Sequence, residues 1–104
     1  MGDGGWWQLF AYGRVQAVGY RDWVVREARN LGLDGTVRNV DDGTVEIIVG
    51  GPRALVSRLE SRCWQGPPLA AVFWLDCVPI DQPLHLHPGS GFARVPSVRR
   101  SAIR

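Results

Sequence analysis

An antiparallel sheet with two helices on one of its faces, an α+β sandwich, is the fold this sequence predicts, and three observations predict it. Apolar segments alternate between strand-like and helix-like spacing in the order β-α-β-β-α-β. An Asp41-Asp42-Gly43 hairpin signal separates the two halves. The whole pattern fits within 104 residues, enough for one core and too few for two.

The first strand is read over Trp6 to Tyr12, rich in aromatics and closed by Gly13. From Arg21 to Leu31 the apolar positions Val24, Val25, Ala28 and Leu31 fall at helical spacing, and Gly32 marks a C-terminal stop. Leu33, Gly35, Val37 and Asn39 then alternate with Asp34, Thr36 and Arg38 as a half-buried strand does. Asp-Gly suits the positive φ values of a tight turn, so Val45 to Val49 should pair with that strand. Gly51-Pro52 opens a second helix with proline at its first position, carrying Leu55, Val56, Leu59 and Cys63 as its apolar stripe and ending near Gln65. Leu69 to Val78 is the fourth strand, Pro79 to Ser90 a loop, and Gly91 to Val95 a short fifth strand. Right-handed crossovers place the first and third strands side by side at the centre, giving the ferredoxin-like βαββαβ sandwich. The chain is therefore expected to form a single domain over residues 1–104, with a structured core at about 6–95 and a basic tail at 96–104.

Composition narrows the function. Hydrophobic residues make up 45% of the chain, with five Trp, two Tyr and three Phe, which argues against disorder. The longest apolar runs are too short to cross a bilayer, and the N-terminal segment lacks the basic start of a secretory signal; a cytoplasmic protein without a membrane partner is expected. Cys63 and Cys77 are then expected as two reduced, partly buried thiols rather than a disulfide. All twelve basic residues are arginine, a bias that fits the base composition of a genome better than a binding role, and a net charge of +2 permits anionic partners without demanding them.

The segment with the most chemical promise joins the first strand to the first helix: Gly13-Arg14-Val15-Gln16-Ala17-Val18-Gly19-Tyr20-Arg21. A glycine-bounded turn lets backbone N–H groups converge, the helix start adds its positive end, and Arg21 brings a planar fork of donors, together a cradle for a phosphoryl group. The same residues also serve a plain strand-to-helix turn with a solvated arginine. Asn39, at the end of the second strand, can both accept from and donate to a water, although asparagines at such positions commonly cap turns.

The nine residues Gly13 to Arg21 resemble the signature loop of the acylphosphatases. Leu31-Gly32-Leu33-Asp34-Gly35-Thr36-Val37-Arg38-Asn39, followed by Asp42-Gly43-Thr44-Val45-Glu46, resembles their second signature, and Gly66-Pro67-Pro68-Leu69-Ala70 and Gly91-Phe92 are similar to the family's later connection and last strand. The likeness runs from about Phe10 to Val95. It implies the sandwich already derived and hydrolysis of small acyl phosphates to carboxylate and inorganic phosphate, with no metal or organic cofactor, by a monomer with no nucleic-acid partner. Carried over by motif, Arg21 and the loop amides of Val15, Gln16, Ala17, Val18, Gly19 and Tyr20 would hold the phosphoryl oxygens, and Asn39 would orient the attacking water.

Three positions depart from the family pattern. Ala17 stands where the family has glycine, so a positive φ there would cost about 1 kcal/mol or more and could tilt an amide and lower activity. Tyr20 replaces phenylalanine and needs a partner for its hydroxyl if buried, and Thr36 replaces an aromatic residue. Three other readings compete. His85-Leu86-His87 offers half of a zinc site with nothing nearby to complete it. A single-stranded RNA-binding module of this architecture would need aromatics on its third strand, where Thr44 to Val49 has none. A phosphate-binding domain without turnover, like the acylphosphatase-like domain that opens hydrogenase-maturation carbamoyl transferases, would keep the fold and the cradle.

Overall fold

Alternating apolar residues build a five-stranded sheet of order β4-β1-β3-β2-β5 in the computed structural model, which describes residues 4–103. The elements are β1 (Gly5–Arg14), α1 (Tyr20–Asn30), β2 (Asp34–Asn39), β3 (Val45–Gly51), α2 (Arg53–Gln65), β4 (Ala71–Ile80), β5 (Phe92–Arg94) and a final 3-10 turn (Arg100–Ala102). β1 and β3 lie at the centre, side by side, as the crossover rule requires. Leu9, Ala11, Val37, Val45, Ile47 and Val49 on one face of the sheet meet Val24, Ala28, Val56 and Leu59 of the two helices, and all ten are buried.

Three elements differ from the sequence reading. β5 runs parallel to β2, so the sheet is mixed rather than wholly antiparallel. β4 begins two residues later than expected because Ala70 donates to the carbonyl of Pro67 and closes a turn around Leu69. It also continues through Pro79, whose missing N–H is tolerable because β4 is an edge strand. Pro52 caps α2 from an extended conformation and is not its first helical residue.

Two features of the backbone set the start of α1. A bulge between Tyr12 and Gly13 shifts the β1–β4 register, and Gly13, at φ 126°, brings its backbone so close to Ala71 that a Cβ would collide with the carbonyl there. Downstream, two α1 side chains serve the final carbonyls of α2: the Tyr20 hydroxyl donates to the Cys63 carbonyl at 2.8 Å and the Trp23 indole to the Arg62 carbonyl at 3.0 Å. The hydroxyl that the sequence required to find a partner thus finds one at a helix end, where carbonyls have no partner of their own. Burial pushes the Tyr20 hydroxyl's pKa far up, and the Cys63 thiol, also buried, is pushed up to about 12. Cys63 and Cys77 are both free thiols.

On the other face, the loop after β4 folds back over the sheet. Leu86 is buried there, and Asp34 fixes the loop's end by accepting from the backbone of Gly89 and Gly91. Thr36, smaller than the family's aromatic residue, lies in the depression between this loop and the sheet. No described helix is long and apolar enough to cross a membrane.

Tyr20→Phe removes the donor to the Cys63 carbonyl while keeping the ring, and should cost about 1–2 kcal/mol of stability. Urea denaturation should show a lower midpoint at unchanged slope; an unchanged midpoint would mean that the hydroxyl does not hold the helices together.

Candidate active site

The strand-to-helix connection, residues 15–19, alternates buried anchors with exposed backbone. Val15 and Tyr20 are in the core and Val18 packs against it. Ala17 and Gly19 both take left-handed backbone, at φ 61° and 82°. Ala17 is the only described non-glycine residue with positive φ, so the position where the family has glycine does hold a conformation that disfavours a side chain. Alternating hands turn successive amides toward a common point, the geometry of an anion-binding nest.

No acceptor among the described residues takes the N–H groups of residues 15–21, and Gly19 caps α1 without a side-chain hydrogen bond. The donors of a helix start ordinarily need a partner from outside the helix. Arg21, in the first turn, is partly buried and makes no ion pair or hydrogen bond among the described residues. Partial burial lowers its pKa, the like charge of Arg94 lowers it further, and Asp22 acts in the opposite sense.

Arg94 is the residue that the sequence reading left out of the site. It sits on β5, which packs along α1, and its guanidinium bonds the Asp22 carboxylate at 2.6 Å. Asp22 is thereby held below its usual carboxylate pKa, first by that hydrogen bond and then by the charges of Arg94, Arg21 and Arg26. Arg94 takes the one carboxylate beside the loop, and Arg21 next to it stays unpaired among the described residues, leaving positive charge in excess. Only the parallel pairing of β5 with β2 creates this arrangement, and no local motif announces it.

The second half of the site is joined to the first by Gln16. Its side-chain amide donates to the carbonyls of Val40 at 2.8 Å and Thr44 at 2.9 Å, pinning the loop to the β2–β3 turn. Asn39 precedes Val40, and both line a cavity of about 280 Å³ together with Gln16 and residues 97–99. The side-chain oxygen of Asn39 is buried and has no hydrogen-bond partner within the described residues. A buried acceptor without a partner is uncommon and calls for a functional explanation. Arg38, by contrast, points to the other face and is taken by the buried Glu46 at 2.7 Å, which also accepts from Gln8.

His85 and His87 lie in the loop that covers the opposite face, and no group of three His, Cys, Asp or Glu side chains among the described residues is disposed to hold a metal. On that face Trp6 and Phe10 are buried, with the Arg100 guanidinium 4.1 Å above the centre of the Phe10 ring, while Trp74 of β4 is exposed.

Comparison with known proteins places this geometry. A sequence model of the acylphosphatase family matches residues 7–93. An acylphosphatase of Nitrobacter hamburgensis is 40% identical over 93 residues, covering 88% of this chain and 94% of that protein. One of Rhizobium meliloti is 53% identical over a shorter stretch of 60 residues, 58% of this chain and 63% of its own length. The crystal structure of acylphosphatase from Bacillus subtilis superposes with a TM-score of 0.79 at 31% identity, over 86% of this chain and 97% of that one. Full-length HypF shares the fold over 96% of this chain with a TM-score of 0.84, but at 21% identity and over only 13% of its own length. With a family model matched over residues 7–93 and a relative 40% identical along nearly its whole length, the chain belongs to the acylphosphatase family.

Proposed function

We propose that this acylphosphatase-family chain hydrolyses the carboxyl-phosphate bond of small acyl phosphates, with the phosphoryl group on the loop amides of residues 15–20 and Arg21 and the attacking water on Asn39. One observation carries the assignment: among the described residues, the loop with its unpartnered amides, ahead of the unpaired Arg21, is tied through Gln16 to the turn that follows Asn39, whose side-chain oxygen is itself unpartnered.

In this scheme the phosphoryl oxygens take the N–H donors that the chain leaves unused, and the Arg21 fork adds charge-assisted bonds to the same group. A water donates to the Asn39 side-chain oxygen and turns a lone pair toward phosphorus. It attacks from the Asn39 side as the bond to the carboxylate opens on the opposite side, in line. The oxygen–phosphorus bond formed gives inorganic phosphate, the electron pair of the broken bond stays on the carboxylate, and the water's proton passes to solvent or to the phosphate itself. Since a carboxylate is a weak base, its departure needs no strong general acid. Positioning and charge stabilisation can supply the catalysis.

The direct test is an assay with an aryl acyl phosphate beside a phosphomonoester, in the presence of a chelator. Cleavage of the first alone supports the assignment, and cleavage of neither reduces the chain to a phosphate-binding domain. Arg21→Ala should weaken inhibition by inorganic phosphate by about 10²-fold, the worth of two hydrogen bonds to a charged group, and turnover should fall with it. Unchanged phosphate inhibition would remove Arg21 from the cradle. For Asn39→Ala the expectation differs: phosphate inhibition within about twofold of the parent and kcat lower by ~10²–10³-fold, the scale of one preorganised contact. A matching loss of phosphate binding would move Asn39 from the water to the phosphate.

Ala17→Gly relieves a left-handed alanine. Because the loop reaches that conformation with alanine in place, the relief should appear as about 1 kcal/mol of added stability in urea denaturation, with kcat/KM almost unchanged. A large gain in kcat/KM would show instead that the methyl group distorts the amides.

A further inference from the structure

The family match ends at residue 93, yet the chain continues alongside the site. Past β5, the Val95 N–H donates to the Val37 carbonyl and the Val98 N–H to the Asn39 carbonyl, each at 3.0 Å, while the Asp41 N–H returns a bond to the Val98 carbonyl. Val98 forms a parallel bridge with Val40. These residues prolong the outer strand beyond the end of β2, so that the Asn39 carbonyl, on the edge of β2 away from its register partner Val45, is taken by the Val98 N–H. Residues 97–99 also stand across the cavity of about 280 Å³ from Gln16 and Asn39.

Arg100 fastens the segment. Its backbone N–H donates to Asp41 Oδ1 at 2.8 Å, its guanidinium bonds Asp42 Oδ2 at 2.8 Å, and the same group stacks on the Phe10 ring of β1. Its three anchors therefore belong to the turn that follows Asn39 and to the central strand. A strand end is where backbone pairing ordinarily frays, and the direction of a short side chain such as asparagine follows its main chain closely.

We infer that residues 96–103 are a strap that fixes Asn39 and walls the water side of the site, with Arg100 as the positioning residue that holds the strap closed. The inference rests on the acyl-phosphate reading above. The strap works through Asn39 alone: the loop amides and Arg21 lie on the other half of the site and bind phosphate without it.

The experiment is a double-mutant cycle. Arg100→Ala, and separately removal of residues 96–104, should lower kcat by about 10-fold, less than the 10²-fold that an ångström of misplacement can cost, and should leave inhibition by inorganic phosphate unchanged. Arg100→Lys, which retains the charge opposite Asp42, should recover part of the loss. In an Asn39→Ala background Arg100→Ala should cost nothing more, because the group it positions is gone. An equal loss in both backgrounds, a parallel loss of phosphate inhibition, or unchanged kcat in both Arg100→Ala and the truncated chain would overturn the inference. If the parent protein cleaves no acyl phosphate, the functional reading fails first and on separate grounds.

Discussion

The two hydrogen bonds from the Gln16 side chain are the constraint on which the rest of the site depends. The loop of residues 15–19 is set by its own strand and helix, whereas Asn39 is set by β2, and β3 lies between the two strands. Sheet pairing alone fixes those elements to within a strand spacing but says nothing of how the loop leans. Gln16 closes that freedom by reaching the carbonyls of Val40 and Thr44. The group has to be an amide. A carboxylate would bring acceptors against carbonyls, and an arginine or lysine would add a charge that competes with Arg21 for an anion.

Packing does for the helix what Gln16 does for the loop. Tyr20 and Trp23 sit in the first turn of α1, and their polar tips end on carbonyls at the end of α2. The Tyr20 bond satisfies a carbonyl that the helix geometry leaves unpaired, and the Trp23 bond adds a second donor to the Arg62 carbonyl that Gly66 already engages, so the contact between helices also determines where α1 begins. The N–H groups at that beginning then have no neighbour to turn to. Their availability is thus a result of tertiary packing and not of a flexible turn, which is what preorganised recognition of a charged group requires.

Much of this was legible before any coordinates. Asp41-Asp42-Gly43 marked the hairpin, the alternation around Val37 marked a half-buried strand, and Gly13 and Gly19 bounded the loop; each signal is local and has a direct conformational cause. For Ala17 the signature raised the question of a positive φ, and its backbone does take one. What escaped the sequence was carried by partners far apart in the chain. Nothing within Phe92–Arg94 distinguishes a strand that runs parallel to β2 from one that runs antiparallel, and without that pairing Arg94 cannot be placed beside Asp22. The residues from Val95 to Ala102 have no period at all: Val98 is extended because Asn39 and Asp41 have free backbone groups at the end of β2, and Arg100 is ordered by Phe10, Asp41 and Asp42. Charge counting registered the arginines without revealing where they meet.

The charge arrangement at α1 illustrates how a site keeps its cation available. Asp22 follows Arg21 directly, and a carboxylate beside a guanidinium ordinarily competes with any anion for its donors. Helix geometry turns consecutive side chains about 100° apart, which separates the two without removing their attraction. Arg94 completes the separation by holding Asp22 on the β5 side. The pair is exposed and adds little to stability. Its effect is on the field: with Asp22 engaged, Arg21 keeps its donors for a ligand, and a second guanidinium stands behind the first. A pair that contributes little to folding can therefore still decide whether the cradle attracts an anion or neutralises itself.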